Sequence, residues 1–504
     1  MASIKKNIIA NLVGKIWSAG IAIILIPQYI KFLGIESYGL IGFYGTLIGS
    51  MAVLDLGLST TLNRELAKYN FEKQYIKDIR DLTFSLELIY WAIGILICFS
   101  IVVLSGFITS HWIKVESLSL YTVRNSVMLM GAVVAFQWPI SLYSGGLTGL
   151  EKQVQNNIIT VIMTTIRAAG VIIILKYFSA TLQSFFLWQV GISLLYVVLM
   201  RACLWHFMPN DDGKPIFSKA QIKNIWRFAA GMTGISFITF FLAQIDKIVL
   251  SKILPLSQLG YYTLAFTIAS SISLIVGPIS MTFFPRFAQL LSNNKHEELK
   301  RLYHQACRLI ASLIFPICFV LLFFTKDILL IWTKNAITVD KTFMMTQILI
   351  IGSIFNALMV MPYNLLVANG WTKFTIYQNT IAAVILVPLL LLWTNLYGAI
   401  GATLVWVIVN AGYVFISQPI MHQILLKNEL KKWYFKDTLL PMIPSLLVIL
   451  CIKFILQINL YGHVNLIMIG IILIMALFVS LLNLIEIRRL VKRKFLTIPK
   501  RIET

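Results

Sequence analysis

The stretch LIMIGIILIMALFVSLL, Leu466 to Leu482, contains no charged residue and no apolar–polar alternation. A surface helix of a soluble domain needs a polar face, and an outer-membrane strand alternates over about ten residues. An unbroken apolar run instead fits a helix surrounded by lipid and by other helices, and such a helix needs roughly 20 residues to cross the hydrocarbon. IPSLLVILCIKFIL, Ile443 to Leu456, repeats the pattern with one lysine in it.

The whole chain follows that lead. Of its 504 residues 59% are hydrophobic and 12% charged, far more apolar than a soluble domain. The expected fold is an all-α integral membrane protein. Apolar runs place fourteen spans at 8–30, 38–60, 82–106, 118–142, 155–175, 182–203, 225–250, 260–283, 306–325, 342–366, 376–393, 398–421, 437–457 and 464–486. The first, basic at its start and too long for a signal-peptide core, reads as a retained span. With both termini in the cytoplasm, 30 Lys and Arg fall on the cytoplasmic side and 8 on the other, as the positive-inside rule requires.

The net charge of +22 is spread over many short loops, which argues for lipid headgroups and topology rather than nucleic acid. The five cysteines lie in or beside apolar runs without metal-ligand spacing, and the six histidines are scattered, giving no metal site or pH-sensor pattern. There is no phosphate loop and no nucleophile elbow. The chain therefore reads as a non-enzyme without a cofactor, dependent on an ion gradient, a membrane potential or downstream consumption.

Charges inside spans call for a partner, a wet cavity or an escape to the surface. Glu87, Glu486, Arg124 and Lys247 lie near span ends, where long side chains can snorkel. Arg167, in NNIITVIMTTIRAAGVIIIL (Asn156–Leu175), falls near the middle of its span and shares a face with Asn156, Thr160 and Thr164. Its planar fork of donors suits a phosphate or pyrophosphate, with a buried ion pair as the competing role. Thr233, Ser236, Phe240, Ala243, Gln244 and Lys247 form a second stripe, from which Asp246 points away. Lys15 sits with Asn11, Ser18 and Ala22 in the first span. Asp55, in LDLGLSTTLNRELAK (Leu54–Lys68), lies at a similar depth. It is expected to neutralise Lys15 or Arg64 at an inner gate, or to bind a proton or sodium ion. Trp17, Trp91, Trp138 and Trp188 are available to stack on sugars, although anchoring and packing are commoner uses.

An ungapped offset of 221 lays residues 30–68 over 251–289 with eight identities, among them Lys31 with Lys252, Gly39 with Gly260 and Ser59 with Ser280. Spans one and two thereby correspond to seven and eight, a parallel repeat of the kind that builds two-bundle transporters. The segment IPQYIKFLGIESYGLIGFYGTLIGSMAVLDLGLSTTLNRELAK (Ile26–Lys68) resembles the N-terminus of O-antigen (Wzx) type polysaccharide flippases. AQIDKIVLSKILPLSQLGYYTLAFTIASSI (Ala243–Ile272) looks like the start of their second half. These proteins belong to the multidrug/oligosaccharidyl-lipid/polysaccharide exporter superfamily. The resemblance implies two pseudo-symmetric bundles around a central cavity, here 1–223 and 224–421, with two extra spans and a basic tail in 422–504. It implies a bacterial inner-membrane flippase of undecaprenyl-pyrophosphate-linked oligosaccharide in O-antigen or lipopolysaccharide biosynthesis, with a polysaccharide polymerase as a partner. Arg167, Arg124, Lys15 and Lys247 would then hold the headgroup, while Asp55, Asp246 and Arg64 would serve ion coupling or gating. A multidrug exporter of the same superfamily and a lipid II flippase are the alternatives.

Overall fold

The computed structural model describes residues 2–55, 57–68, 73–209, 213–223, 225, 244–459 and 465–482. Nearly all of them are helical, and the one β-type pairing among them is a bridge between Lys114 and Pro255. The described chain forms two compact units, residues 1–263 and 264–504. Ten helices among the described residues are long and apolar enough to cross a membrane. The fold is thus all-α and multi-pass.

Unit 1 begins with α1 (Ala2–Leu33) and α2 (Ile35–Leu54), joined by Gly34 at φ +83°, a left-handed conformation that glycine adopts without penalty. Gly57, at φ +66°, makes a second break before the short α3 (Leu58–Lys68). Then come α4 (Lys73–Phe107), which widens into a π-helical turn over Ile108–Trp112, α5 (Leu120–Gly149), α6 (Gln153–Tyr177) and α7 (Leu182–Phe207). The Ser119 and Thr181 hydroxyls accept backbone N–H groups at the starts of α5 and α7, supplying the capping that a helix end lacks internally. A helix over 244–253, α8, leads into α9 (Leu256–Ser270).

The core of unit 1 gathers on α5, which packs against α3, α4 and α7. Leu62, Leu86, Tyr90, Trp138, Leu142, Tyr143, Leu147 and Leu204 are buried there. Helix α1 lies on α6, where Asn157 of α6 donates to Asn11 at 2.5 Å and Trp17 donates to Thr165 at 2.9 Å.

Unit 2 holds α10 (Ser273–Ser292), α11 (His296–Phe323), α12 (Thr325–Thr333), α13 (Ala336–Leu358), α14 (Val360–Ala368) and α15 (Thr372–Gly412). It closes with α16 (Gln418–Leu425), α17 (Leu430–Lys432), α18 (Leu440–Asn459) and α19 (Leu466–Leu481). Helix α11 is its centre and touches α10, α13, α18 and α19. Two of the six histidines, His304 and His422, come together here. His304 meets Asp437 and, at 3.0 Å, Glu429, while Arg308 donates to Asp437 at 2.9 Å. His422 lies buried within the same aromatic cluster, beside Tyr303 and Trp433.

The expected spans 376–393 and 398–421 run together in one apolar segment, Lys373–Leu425, of 53 residues. That is about 80 Å of helix against ~30 Å of hydrocarbon. It breaks at Gly398, whose φ of 61° and ψ of −143° only glycine tolerates. Most of the expected span 225–250 lies outside the described residues, as do Glu486 and the basic tail from Arg488. The opening stretch forms α19, with Ile469, Ile472, Ala476 and Ser480 turned inward and Ile467, Ile471, Ile474 and Phe478 exposed. Such an outer face is stable only in lipid.

Candidate functional site

Asp55 owes its position to the break between α2 and α3. Its backbone carbonyl accepts the Leu58 N–H at 2.9 Å, and its carboxylate receives the Ser59 hydroxyl at 2.7 Å at the start of α3. Tyr90 of α4 donates to the other oxygen at 2.5 Å, and Ser141 of α5 donates at 2.9 Å. The side chain is buried. This corrects the expected ion pair, because hydroxyls from three helices occupy the carboxylate where Lys15 or Arg64 was expected. Lys15 is exposed on α1, and Arg64 is exposed 3.9 Å from Glu65. The helix N-terminus also favours a negative charge at this spot. A buried carboxylate solvated by hydroxyls, with no cation paired to it among the described residues, can exchange a proton or a small cation without breaking a salt bridge.

Arg167 lies half-buried on α6 against α7. Its guanidinium donates to Ser193 at 3.3 Å and stands 5.8 Å from the centre of the Tyr196 ring. Gln137 of α5 donates to Ser193 at 3.3 Å and to Tyr44 of α2 at 2.8 Å, while Thr160 and Tyr196 share a hydrogen bond of 2.9 Å. Asn156, one turn before Thr160, donates to Ser144 of α5 at 2.8 Å. The expected stripe of Asn156, Thr160 and Arg167 therefore faces protein. Among the described residues Arg167 forms no ion pair, and its buried Nε has no hydrogen-bond partner. A seam of hydroxyls, an amide and aromatic rings thus surrounds a cation whose donors are only partly used.

The other expected cations do not gather there. Arg124 is exposed near the start of α5. Lys247 donates to Gln244 at 3.3 Å. Asp246 accepts the Tyr262 hydroxyl at 2.5 Å. Thr233, Ser236, Phe240 and Ala243 of the second stripe lie outside the described residues.

Glu87 differs from its expected snorkelling role. It is buried, receives the Arg201 guanidinium of α7, and accepts Tyr143 and Trp205 donors at 3.0 Å each. The four expected tryptophans act in packing or local bonding. Trp138 is buried against Tyr90, Trp91 donates to Tyr143 at 3.3 Å, and Trp188 donates to the Arg167 carbonyl at 3.2 Å. Trp17 binds Thr165, as described above.

Sequence reasoning missed Tyr90, Ser141, Gln137, Tyr44, Ser193 and Tyr196. One signal for the last two was present: Gln189, Ser193 and Tyr196 recur at helical spacing on the inner face of α7.

Residues 4–291, more than half of the chain, match the family described as polysaccharide biosynthesis protein. The chain belongs to the polysaccharide biosynthesis protein family. Residues 232–392 also match the MatE family. The chain is 24% identical over 408 residues to a "Putative O-antigen transporter" of Shigella flexneri, covering 80% of this chain and 94% of that one. It is 22% identical over 305 residues to "Lipopolysaccharide biosynthesis protein WzxC" of Escherichia coli (strain K12), 59% of each. Among solved structures, the lipid II flippase MurJ in an inward closed conformation aligns with a TM-score of 0.66 at 13% identity, over 97% of this chain and 99% of that one. An inward-facing MATE transporter of the MOP superfamily aligns with a TM-score of 0.65 at 12% identity, over 84% and 96%. The protein has a polytopic transporter fold and is not an enzyme.

Proposed function

We propose that the protein is a flippase that moves an undecaprenyl-pyrophosphate-linked oligosaccharide, an O-antigen or other surface-polysaccharide unit, across the bacterial cytoplasmic membrane by alternating access. The observation that carries this reading is Arg167. A guanidinium in an apolar helix, held by the Ser193 hydroxyl and the face of the Tyr196 ring and left with a buried donor unused, offers an anion what a structural ion pair would already have consumed. Membership of the polysaccharide biosynthesis protein family and likeness to a putative O-antigen transporter support the sugar-linked cargo.

In this proposal fourteen spans form two bundles, 1–223 and 224–421, with both termini cytoplasmic, and 422–504 adds two spans and a basic tail. Arg167 holds the pyrophosphate, Arg124, Lys15 and Lys247 line its route, and the polyprenyl tail stays in lipid. Asp55, Asp246 and Arg64 serve coupling to a proton or sodium gradient, or gating. The product is handed to polymerase machinery outside. Two other readings have support of their own: the MatE match favours a multidrug exporter, and the MurJ alignment over 97% of the chain favours a lipid II flippase.

The test is the leaflet-resolved pool of lipid-linked oligosaccharides in cells lacking the protein and in complemented cells, read by mass spectrometry. One oligosaccharide should accumulate on the cytoplasmic leaflet and clear on complementation. Arg167→Ala should restore less clearance than Arg167→Lys at equal membrane abundance, since lysine keeps the charge but loses the fork. Accumulation of lipid II would favour the second alternative. No accumulation, with normal surface polysaccharide, would favour drug export.

A further inference from the structure

Part of the 221-residue repeat is visible inside unit 1, because the first turns of α9 belong to it. There α2 and α9 cross at two glycines. A Cβ added at Gly39 would overlap the Leu256 carbonyl oxygen, and one added at Gly260 would overlap the Ile35 carbonyl oxygen. The offset carries Ile35 onto Leu256 and Gly39 onto Gly260. Each contact is therefore the image of the other, the mark of a two-fold interface in which i touches j and j touches i. One turn on, a Cβ at Gly42 would lie 2.5 Å from Thr263 Oγ1, and the offset pairs these positions as well.

The segment 108–119, between α4 and α5, binds both partners of this crossing. On one side the buried Glu36 of α2 accepts the backbone N–H groups of Glu116 at 2.7 Å, Ser117 at 2.9 Å and Leu118 at 3.2 Å, together with the Ser117 hydroxyl. On the other side Leu256 N–H donates to the Lys114 carbonyl at 3.0 Å, the Lys114 ammonium to the Ile253 carbonyl at 2.7 Å, and the Trp112 indole to Ser251 at 3.0 Å. Lys252 donates to the His111 carbonyl and Ser257 to the Glu116 carboxylate. Glu36 and Ser257 are themselves paired by the offset.

We propose that segment 108–119 is a latch that holds the glycine crossing of α2 and α9 shut on the outer side of the membrane, with Glu36 as its catch. The role rests on the alternating-access reading given above, and the side on the distribution of Lys and Arg. Small residues let helix backbones approach closely through dispersion contacts. Such contacts carry no directional bond across the crossing, so the charge-assisted bonds at Glu36 hold the strap that keeps it together.

The test uses the full-length protein in intact cells, with its five cysteines replaced by serine and Thr263→Cys introduced as the reporter. A membrane-impermeant maleimide added outside reads opening, normalised to the thiol exposed after denaturation. Slow labelling is expected with Glu36 present, and about tenfold faster labelling with Glu36→Ala, which strands three backbone N–H donors and the Ser117 hydroxyl. Glu36→Gln should fall between. Adding Gly42→Cys should form a disulfide that blocks labelling until a reductant is supplied. Equal rates in all three proteins, or labelling only by a membrane-permeant maleimide, would overturn the latch. The labelling needs no cargo, so a failed oligosaccharide assay with intact labelling would count against the cargo alone.

Discussion

Asp55 carries the clearest consequence at the scale of single residues. A carboxylate in an apolar run was legible as an anomaly, but its partners were not, since Ser59, Tyr90 and Ser141 lie 4, 35 and 86 residues away. A nearby cation is the cheapest guess from sequence, and packing supplied hydroxyls instead. Hydroxyls can turn to donate or accept, so Asp55→Asn should keep the fold at a cost of about 1–2 kcal/mol. Transport by this variant, followed across a pH and sodium series, should lose the ion dependence of the parent, and an unchanged dependence would remove Asp55 from coupling. Arg167 shows the same division: its shared face with Asn156 and Thr160 follows from helical periodicity, whereas Ser193 and Tyr44 reach it only through α7 and α2. Glu87 was read as a span-end residue free to snorkel, because Arg201 lies 114 positions on.

At the scale of elements, breaks matter more than lengths. The expected spans 376–393 and 398–421 meet at Gly398, a single residue in a conformation that only glycine can occupy, with helical backbone on both sides of it. Gly398→Ala should destabilise the detergent-solubilised protein by about 1–3 kcal/mol. A thermal unfolding midpoint equal to that of the parent would show that the kink relaxes without cost. In α5, Gly145 and Gly149 let the helix meet the carbonyls of Ser59 and Asn63 in α3, which brings Ser141 within reach of Asp55. Both glycines lie beyond the expected span 118–142, because the helix runs on to Gly149. In unit 2, Asp437 stands 133 residues from His304, so the buried cluster that ties the approach to α18 onto α11 had no local signature.

At the scale of the whole molecule, topology is the testable quantity. The Lys and Arg distribution puts the 284–305 connection inside and the 326–341 connection outside. In a cysteine-free background, Lys341→Cys should react with an impermeant maleimide in intact cells, and Lys295→Cys only after permeabilisation. The reverse pattern would invert the orientation. The sequence alone determined that this chain is a bundle of lipid-embedded helices, with charges where lipid would not tolerate them unaided. Transfer from water to hydrocarbon depends on the composition of each run, whatever that run later packs against. Only the tertiary structure decided which groups satisfy those charges and where the two related segments cross. Hydrogen-bond partners and close backbone approaches join residues tens to hundreds of positions apart, and only packing brings them within about 3 Å.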